Sequence, residues 1–174
     1  MTIKNKGQRV AVFLDVQNLY HSAKNLYNAR VNFDKVIEIA VSKRTLIRAF
    51  AYVIKTKTGE EKSFFEALTS LGIETRIKDL QEFHGGFKKG DWDVGIAVDA
   101  IRMSPGLDVV ILVTGDGDFV PLVDYLKNRG KRVEVIGFER SASLKLKEAA
   151  DEFINLEDNT KRFLLTKKRQ KGKN

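Results

Sequence analysis

The stretch VVILVTGDGDFVPLVDYL, residues 109–126, decides the fold. It starts with five consecutive aliphatic residues, Val109–Val113, a run typical of a strand that is buried on both faces of a parallel sheet. An acidic segment follows, and apolar residues then recur at the spacing of an amphipathic helix. These helical residues are Phe119, Leu122, Val123 and Leu126. The stretch therefore predicts a buried strand, an acidic turn and a helix that packs back onto the sheet.

The rest of the chain repeats this alternation of strands and helices. Apolar runs predict further strands at residues 10–14, 46–54, 73–78 and 133–138, with a sixth short strand at 153–156. Helices are predicted after Asn32, around 64–71 and over 144–153. The glycine-rich stretch 81–91 is predicted to be a mobile loop. Strands that alternate with helices favour an α/β fold, with a mostly parallel central sheet between two layers of helices.

The composition excludes several kinds of active site. The 174 residues include no Cys and only two His, His21 and His84. Disulfide scaffolds, thiol nucleophiles and Cys-rich zinc sites are therefore excluded. A Ser-His-Asp triad would have to be built on one of the two histidines. Any chemistry must rest mainly on carboxylates, hydroxyls, amides and basic side chains.

The net charge of +8 is concentrated at the two ends of the chain. Residues 160–174 contain seven Lys or Arg and no acid, and three more bases lie at the amino end. The segment between them, 10–159, has 21 basic and 23 acidic residues. We therefore predict a basic extension at 1–8, a folded domain at 9–157 and a basic, disordered tail at 158–174. Within the tail, Phe163, Leu164 and Leu165 are apolar enough to pack a final helical turn onto the domain, and the segment KKRQKGKN is the part with the composition of disorder. The basic ends favour a polyanionic partner, nucleic acid first.

No segment has the features of a membrane span or of a signal peptide. The longest apolar runs, such as Val109–Val113, are far shorter than the about 20 residues that cross a bilayer. The amino end lacks an apolar segment followed by a small-residue cleavage site. We therefore expect a cytoplasmic protein with no membrane partner. The sequence leaves a homodimer open.

Polar side chains follow two of the predicted strands. Asp15 ends the first strand, with Asn18 three residues later, and Asp116 and Asp118 follow the strand at Val109–Val113. Ligands of open parallel sheets bind beyond the carboxyl ends of the strands, where the strand order reverses. We therefore expect these carboxylates to lie at one edge of the sheet.

A third source of carboxylates is the segment DWDVGIAVDA, residues 91–100. Asp93 is placed in the first turn of a predicted helix, with Asp91 just before it. Asp99 lies six residues after Asp93 and does not share its face of a straight helix. We therefore expect Asp99 to be a supporting or surface residue.

Each acid taken singly is equally well explained as a helix N-cap. Taken together, three or four clustered carboxylates would raise one another's pKa unless a cation neutralised them. Hard oxygen ligands without Cys or a His pair favour Mg²⁺ or Mn²⁺. One or two such ions can activate water and stabilise the leaving oxygen of a phosphodiester, which is chemistry that needs no Cys or His nucleophile.

The motifs in their order identify a family. The chain contains in succession FLDVQNL, KKGDWDVGIAVDA, VTGDGDFVPLVDYL, KRVEVIGF and SASLKLKEAADEFINL. This succession, over about residues 9–156, resembles the NYN domain, specifically its LabA-like branch, a relative of the PIN-domain nucleases. The resemblance implies a PIN-like, Rossmann-like three-layer α/β/α fold. It also implies a metal-dependent endoribonuclease site of clustered acids, whose partner is single-stranded or structured RNA.

The resemblance assigns catalytic residues by position. Asp15 and Asp116 are implied to be direct metal ligands, and Asp93 and Asp118 to complete the shell directly or through water. Asn18 is implied to orient a water or to contact the phosphate. The family segment usually reads Lys-Gly-Val-Asp, and this chain has an extra Asp91 in it. We prefer Asp93 because the apolar helix pattern starts directly after it.

Contacts to RNA are expected from the glycine-rich loop and from the tail. The residues are Lys89, Phe87, His84, Lys167, Lys168 and Arg169, with Phe83 beside them. The aromatic rings either stack on unpaired bases or hold the loop on the domain. The lysine is otherwise a solvated side chain, and the tail is otherwise a solubilising end. His21 is expected to be structural.

Three other functions were weighed. The GDGDF segment also resembles a late motif of haloacid dehalogenase-type phosphatases, but those need a second Asp on the first strand where this chain has Gln17. A receiver-like domain would need a phosphorylated Asp on the third strand, and none is well placed. A noncatalytic RNA-binding or regulatory module stays open, although intact acids at every assigned position favour activity.

Overall fold

A computed structural model describes residues 4–56, 61–82, 84–85 and 88–166, without the side chains of residues 82, 88 and 89. The strands are β1 (Arg9–Asp15), β2 (Arg30–Val31), β3 (Thr45–Lys55), β4 (Glu74–Asp79), β5 (Gln81–Glu82), β6 (Lys88–Lys89), β7 (Val109–Val113), β8 (Arg132–Gly137), β9 (Glu152–Asn155) and β10 (Leu164–Leu165). The α-helices are α1 (Val16–Tyr27), α2 (Phe33–Val41), α3 (Lys62–Ser70), α4 (Asp93–Met103), α5 (Val120–Asn128), α6 (Leu144–Ala149) and α7 (Thr160–Phe163).

The central sheet is parallel throughout and is covered on both faces. Its six strands lie in the order β4-β3-β1-β7-β8-β9. One apolar core packs α1, α2 and α3 on one face, and a second core packs α4, α5 and α6 on the other. The prediction of a three-layer α/β/α fold is confirmed. The central strands β1 and β7 are almost wholly buried, as their continuous aliphatic runs predicted.

The strand order reverses between β1 and β7. The chain runs outward from β1 through β3 to β4, then returns to β7 and runs outward through β8 to β9. In the register of the two central strands, Leu14 lies beside Val113. The residues that follow them, Asp15 and Thr114, therefore emerge together at the carboxyl edge of the sheet. This is the switch point at which α/β sheets bind ligands.

Three segments differ from the predictions. The helix expected over 144–153 ends at Ala149, because Asp151 joins the sheet: its amide donates to Val133 O and its carboxylate accepts from Val133 N, both at 2.8 Å. In the stretch 81–91, which we predicted to be a mobile loop, the described residues include the antiparallel pair β5–β6.

The third difference concerns the start of the tail. Residues 158–166, which we predicted to be disordered, are packed on the domain. Phe163 is buried in the core of the α1 face, and β10 pairs with β2. Phe163 and Leu164 supply the burial that the basic residues around them do not.

A buried ion pair lies between α2 and the sheet. Arg44 donates two hydrogen bonds to Glu134, at 2.9 and 2.8 Å, and neither side chain has any exposed surface. Burial alone would raise the pKa of the Glu134 carboxyl, but hydrogen bonds from Arg44 and Arg132 lower it.

Among the helices of the described residues, none has the length and apolar character of a membrane span.

Candidate metal centre

Asp15 is the most buried acid at the carboxyl edge, with 9% of its surface exposed. It caps α1, because its Oδ1 accepts from the Asn18 amide at 3.3 Å. Its Oδ2 accepts from the Thr114 hydroxyl at 2.9 Å. Burial raises the pKa of Asp15, and the two hydrogen bonds oppose this rise. The explanation of Asp15 as a helix cap is therefore correct, but it accounts for only one of the two carboxylate oxygens.

Two cross-links join the ends of β1 and β7. The Asn18 side-chain oxygen accepts from the Gly115 amide at 2.8 Å, and the Thr114 hydroxyl that donates to Asp15 also accepts from the Asp116 amide at 3.2 Å. Asp116 in turn caps a 3-10 helix at Gly117–Phe119 by accepting from the Asp118 amide at 2.9 Å. The acidic turn is therefore held in place by side chains of the first strand and helix.

Three carboxylates converge above these links. Asp93, Asp116 and Asp118 each offer an oxygen atom, and these atoms lie within 4.8 Å of one another. Asp93 comes from the first turn of α4, as predicted, and the other two follow β7. Burial, followed by the negative charges of its acidic neighbours, raises the pKa of Asp93 to about 6.

This group suits a hard divalent cation. Its donors are all carboxylate oxygens, which are the ligands of Mg²⁺ and Mn²⁺. Burial and, after it, the charges of the neighbouring acids raise the pKa of Asp93, and a bound cation would favour its charged form. The carboxylates lie at the switch point of the sheet, where a ligand can approach.

Two glycines in the acidic turn permit close packing of the loop before α6. A Cβ atom at Gly115 would lie 3.0 Å from the Cα of Ala142, and one at Gly117 would lie 2.7 Å from the Ser143 hydroxyl. The Gly115 carbonyl also accepts from the Ser143 amide at 2.9 Å. The turn that carries Asp116 is therefore supported from both sides, by α1 and by this loop.

The carboxylates open into a cleft of about 300 Å³. One wall is acidic and contains Asp15, Asp91, Asp93 and Asp116. The opposite wall is the polar face of α1, with Gln17, Asn18, His21, Ser22 and Asn25. Asp118 is more exposed, at the rim of the acid group.

The α1 wall was missed by the sequence analysis, which treated His21 as structural. In the structure His21 is exposed and lines the cleft, with its ring 5.4 Å from that of Tyr20. The signal was present, because Gln17, His21 and Asn25 recur every four residues and so share one helix face. Ser22 accepts a hydrogen bond of 2.9 Å from Ser141, which ties this wall to the loop before α6.

The remaining predicted residues lie at or outside the cleft. Asp15 stands beside the three-carboxylate group without belonging to it, so direct metal binding by Asp15 stays a prediction. Asp91 is exposed in the cleft wall. His84 is exposed. The Lys89 side chain and Phe83, Phe87, Lys167, Lys168 and Arg169 lie outside the described set.

Asp99 is directed away from the cleft, as expected of a supporting residue. It accepts a hydrogen bond of 2.8 Å from the Tyr52 hydroxyl and lies 3.5 Å from Arg76. Burial and the Asp99 contact raise the pKa of Tyr52.

A comparison with known protein families shows the family to which the chain belongs. The model of the NYN domain matches residues 9–157. The chain belongs to the NYN domain family. This NYN domain is thus a relative of the PIN-like nucleases and carries a cluster of aspartates at the switch point of its sheet.

Similar proteins agree with this assignment. The NYN domain is 26% identical over 164 residues to the low amplitude and bright protein LabA of Synechococcus elongatus, covering 88% of this chain and 86% of LabA. It is 30% identical over 156 residues to an uncharacterized protein of Methanocaldococcus jannaschii, covering 88% of this chain and 58% of that protein. A crystal structure of a Vibrio parahaemolyticus protein of unknown function is 34% identical, with a TM-score of 0.84, over 94% of this chain and all of the other.

Proposed function

We propose that this protein is a metal-dependent ribonuclease that hydrolyses RNA phosphodiester bonds at the Asp93, Asp116 and Asp118 cluster. The observation that carries the proposal is the convergence of three carboxylate oxygens within 4.8 Å in an open cleft. Membership of the NYN family, typically nucleases, supports RNA as the substrate. A cytoplasmic location and a homodimer are predictions of the sequence alone.

The three carboxylates would hold Mg²⁺ or Mn²⁺, with Asp15 beside them. When bound, such an ion polarises the phosphodiester, lowers the pKa of water and stabilises the leaving oxygen. Asp15 has one hydrogen bond on each oxygen, and a carboxylate offers about four lone-pair positions. It therefore keeps capacity to accept a further hydrogen bond from a water in the cleft.

Asn18 has a second role in the proposal. Its side-chain oxygen accepts from the Gly115 amide, so the amide NH₂ is the group left to donate to a phosphate oxygen. The cross-link fixes the orientation of this donor, which spares the entropy of ordering it when the substrate binds. Asn18 would then position the phosphate relative to the carboxylates.

Contacts with the rest of the RNA are proposed for the cations and rings predicted from the sequence. His84 and Phe87 would stack on bases, and Lys89 would meet a phosphate at the rim. The cations Lys167, Lys168 and Arg169 would hold the polyanion near the domain. These assignments rest on the sequence.

The test is cleavage of single-stranded RNA, structured RNA and DNA in Mg²⁺, in Mn²⁺ and in EDTA. The wild-type protein should cut RNA only with metal, and Asp116→Asn should lose most of this activity. Asp124→Asn is the matched control, because Asp124 is an exposed acid of α5 outside the cleft. The proposal is wrong if the wild type cuts no RNA in metal, or if Asp116→Asn cuts as well as Asp124→Asn.

A further inference from the structure

A second pocket lies away from the acids, where α4 crosses the edge of the sheet. It has a volume of about 220 Å³ and is lined by Arg48, Phe50, Arg76, Asp99, Arg102 and Met103. We call it the arginine pocket. Three of the six lining residues are arginines, from β3, β4 and α4, and one is an acid. The lining therefore has an excess of positive charge.

The ion pairs at the arginine pocket leave this excess in place. Arg48 is paired with Glu74 through two hydrogen bonds of 2.7 and 2.8 Å. Arg76 and Arg102 share one carboxylate, that of Asp99, at 3.5 and 3.9 Å. The Asp99 side chain is 16% exposed, whereas those of Arg76 and Arg102 are 44% and 75% exposed. An approaching ligand therefore meets guanidinium groups before it meets the carboxylate.

An aromatic floor orients two of these cations. The guanidinium carbons of Arg48 and Arg76 lie 4.5 and 5.2 Å from the centre of the Phe50 ring. Phe50 is fully buried and stacks on Phe13, so the floor is part of the rigid core. Arginines stacked on a fixed ring lose less side-chain entropy when they bind an anion.

A line of cations connects the arginine pocket with the acid cluster. Lys78 follows Arg76 on the same face of β4 and lies 4.3 Å from the centre of the Trp92 ring. Its ammonium donates to the Asp91 carbonyl at 2.9 Å, at the wall of the cleft. Along α4, Arg102 lies nine residues after Asp93, which is about 14 Å at 1.5 Å per residue. The pocket and the carboxylates are therefore two ends of one continuous surface.

We propose that the arginine pocket binds a backbone phosphate of single-stranded RNA whose scissile bond lies at the acid cluster. This inference rests on the proposed function. Phosphates of a fully stacked strand rise about 3.4 Å per nucleotide along the helix axis and lie farther apart in an unstacked strand, so the bound phosphate lies within roughly four nucleotides of the site of cleavage. Since the acids repel a polyanion, the pocket supplies attraction at a distance that leaves the carboxylates free for metal.

The test measures binding in EDTA, so that no cleavage interferes. A labelled, unstructured RNA of about a dozen nucleotides is titrated with the full chain at several salt concentrations. Three variants are compared with the wild type: Arg76→Gln/Arg102→Gln, the charge-preserving Arg76→Lys/Arg102→Lys, and the control Lys43→Gln/Arg129→Gln. Lys43 and Arg129 are exposed. They precede β3 and β8 and therefore lie at the amino edge of the sheet, opposite the carboxyl edge that carries the acid cluster.

The Gln variant should weaken binding about fivefold near 0.1 M salt and make the log–log salt slope shallower by about 0.7, because one phosphate contact is lost. The Lys variant should have the salt slope of the wild type, because it keeps both positive charges. If the Gln variant had lost affinity only because the pocket unfolded or loosened, the Lys variant would not regain the slope. The control should have the slope of the wild type. The inference is overturned if the Gln variant and the control bind alike, or if the Lys variant is as shallow as the Gln variant.

Failure of this inference and failure of the nuclease proposal are separable. If the Gln variant loses affinity while the wild type cuts nothing in metal, the pocket binds RNA and the nuclease assignment is wrong. If the wild type cuts and Asp116→Asn does not, while the Gln variant binds RNA like the control, the nuclease assignment holds and the arginine pocket has no part in it.

Discussion

The hydroxyl of Thr114 donates to the Asp15 carboxylate at 2.9 Å and so links the ends of two neighbouring strands, 99 residues apart in the chain. Thr114 is 2% exposed, and its oxygen also accepts from the Asp116 amide. One hydroxyl therefore positions two acids of the site. Its loss would change the site without removing any carboxylate.

We predict that Thr114→Val lowers RNA cleavage about 10–100-fold, as is typical when a partner of metal-site residues is removed. Valine cannot donate to Asp15, whose pKa would rise further because burial is then less opposed. Thr114→Ser keeps the hydroxyl and should retain most of the activity. Cleavage rates at saturating metal measure the effect, and equal rates for the Val and Ser variants would contradict it.

Asp93→Asn should stabilise the metal-free protein at pH 7. The pKa of Asp93 is about 6 in the folded protein against an ordinary 3.8, so ionisation opposes folding. The folded state holds the proton more tightly, and wild-type stability therefore falls as the pH rises from about 4 to about 6. A shift of this size corresponds to about 3 kcal/mol, which screening by solvent reduces to about 1 kcal/mol.

Urea unfolding in EDTA measures this gain. It should be full above pH 6 and absent below about pH 4, where Asp93 is protonated in both states. Asp124→Asn, on the exposed face of α5, is the control and should have no such pH dependence. A loss of stability at pH 7 for Asp93→Asn would show that the ionised Asp93 carboxylate does not oppose folding.

The structure explains which parts of the sequence analysis succeeded. Strand and helix positions were predictable because buried parallel strands are continuous aliphatic runs, and β7 matches its predicted bounds. Asp116 and Asp118 were predictable at the carboxyl edge because parallel strands deliver their ends to one edge, whereas Asp93 was assigned by its place just before the apolar pattern of α4. These predictions rest on the spacing of apolar residues along the chain, and a single sequence shows that spacing directly.

Other features depend on contacts between distant residues. The Thr114 and Gly115 links to Asp15 and Asn18 join positions nearly 100 residues apart, with no local signature. The arginine pocket combines cations from three separate elements. The end of the helix at Ala149 was missed because a contact between Asp151 and Val133 overrides the helical pattern.

Gly115→Ala should disturb the acidic turn. A Cβ atom there would lie 3.0 Å from the Ala142 Cα, which is backbone and cannot rotate away. We expect a loss of about 1–3 kcal/mol of stability and a loss of cleavage, because Asp116 would shift. At the control position, Gly106, a Cβ would meet nothing within 4 Å, so Gly106→Ala should leave both properties near wild type. Equal stabilities of the two variants would contradict the packing argument.

Glu134→Gln should destabilise the fold by about 3–5 kcal/mol, because it leaves the Arg44 charge buried without its partner. Asp108→Asn removes the partner of the exposed Arg9 instead and should cost about 0.2–1 kcal/mol. Urea unfolding at pH 7 compares them. A similar small loss in both variants would show that the buried pair is less important than its burial suggests.

Two truncations test the end of the domain. A chain that ends at Thr166 keeps the buried Phe163 and should unfold like the full chain. It lacks five basic residues, and its RNA-binding salt slope should be shallower by up to about 3.5 if each contacts a phosphate. A chain that ends at Glu157 loses α7 and β10 and should be clearly less stable. An unchanged slope for the first truncation would contradict the role of the tail cations.

The hydrogen bonds of Thr114 and Asn18 also make one part of the cleft more resistant to local opening than the rest. Asp116 and Asp118 are tied to the two central strands, so the amides of their turn should exchange with deuterium only on global unfolding. Asp93 instead follows the β5–β6 pair and begins α4. The start of α4, which carries Asp93, is therefore the part of the site that should open at low free energy, and ligand entry and release should proceed from that side.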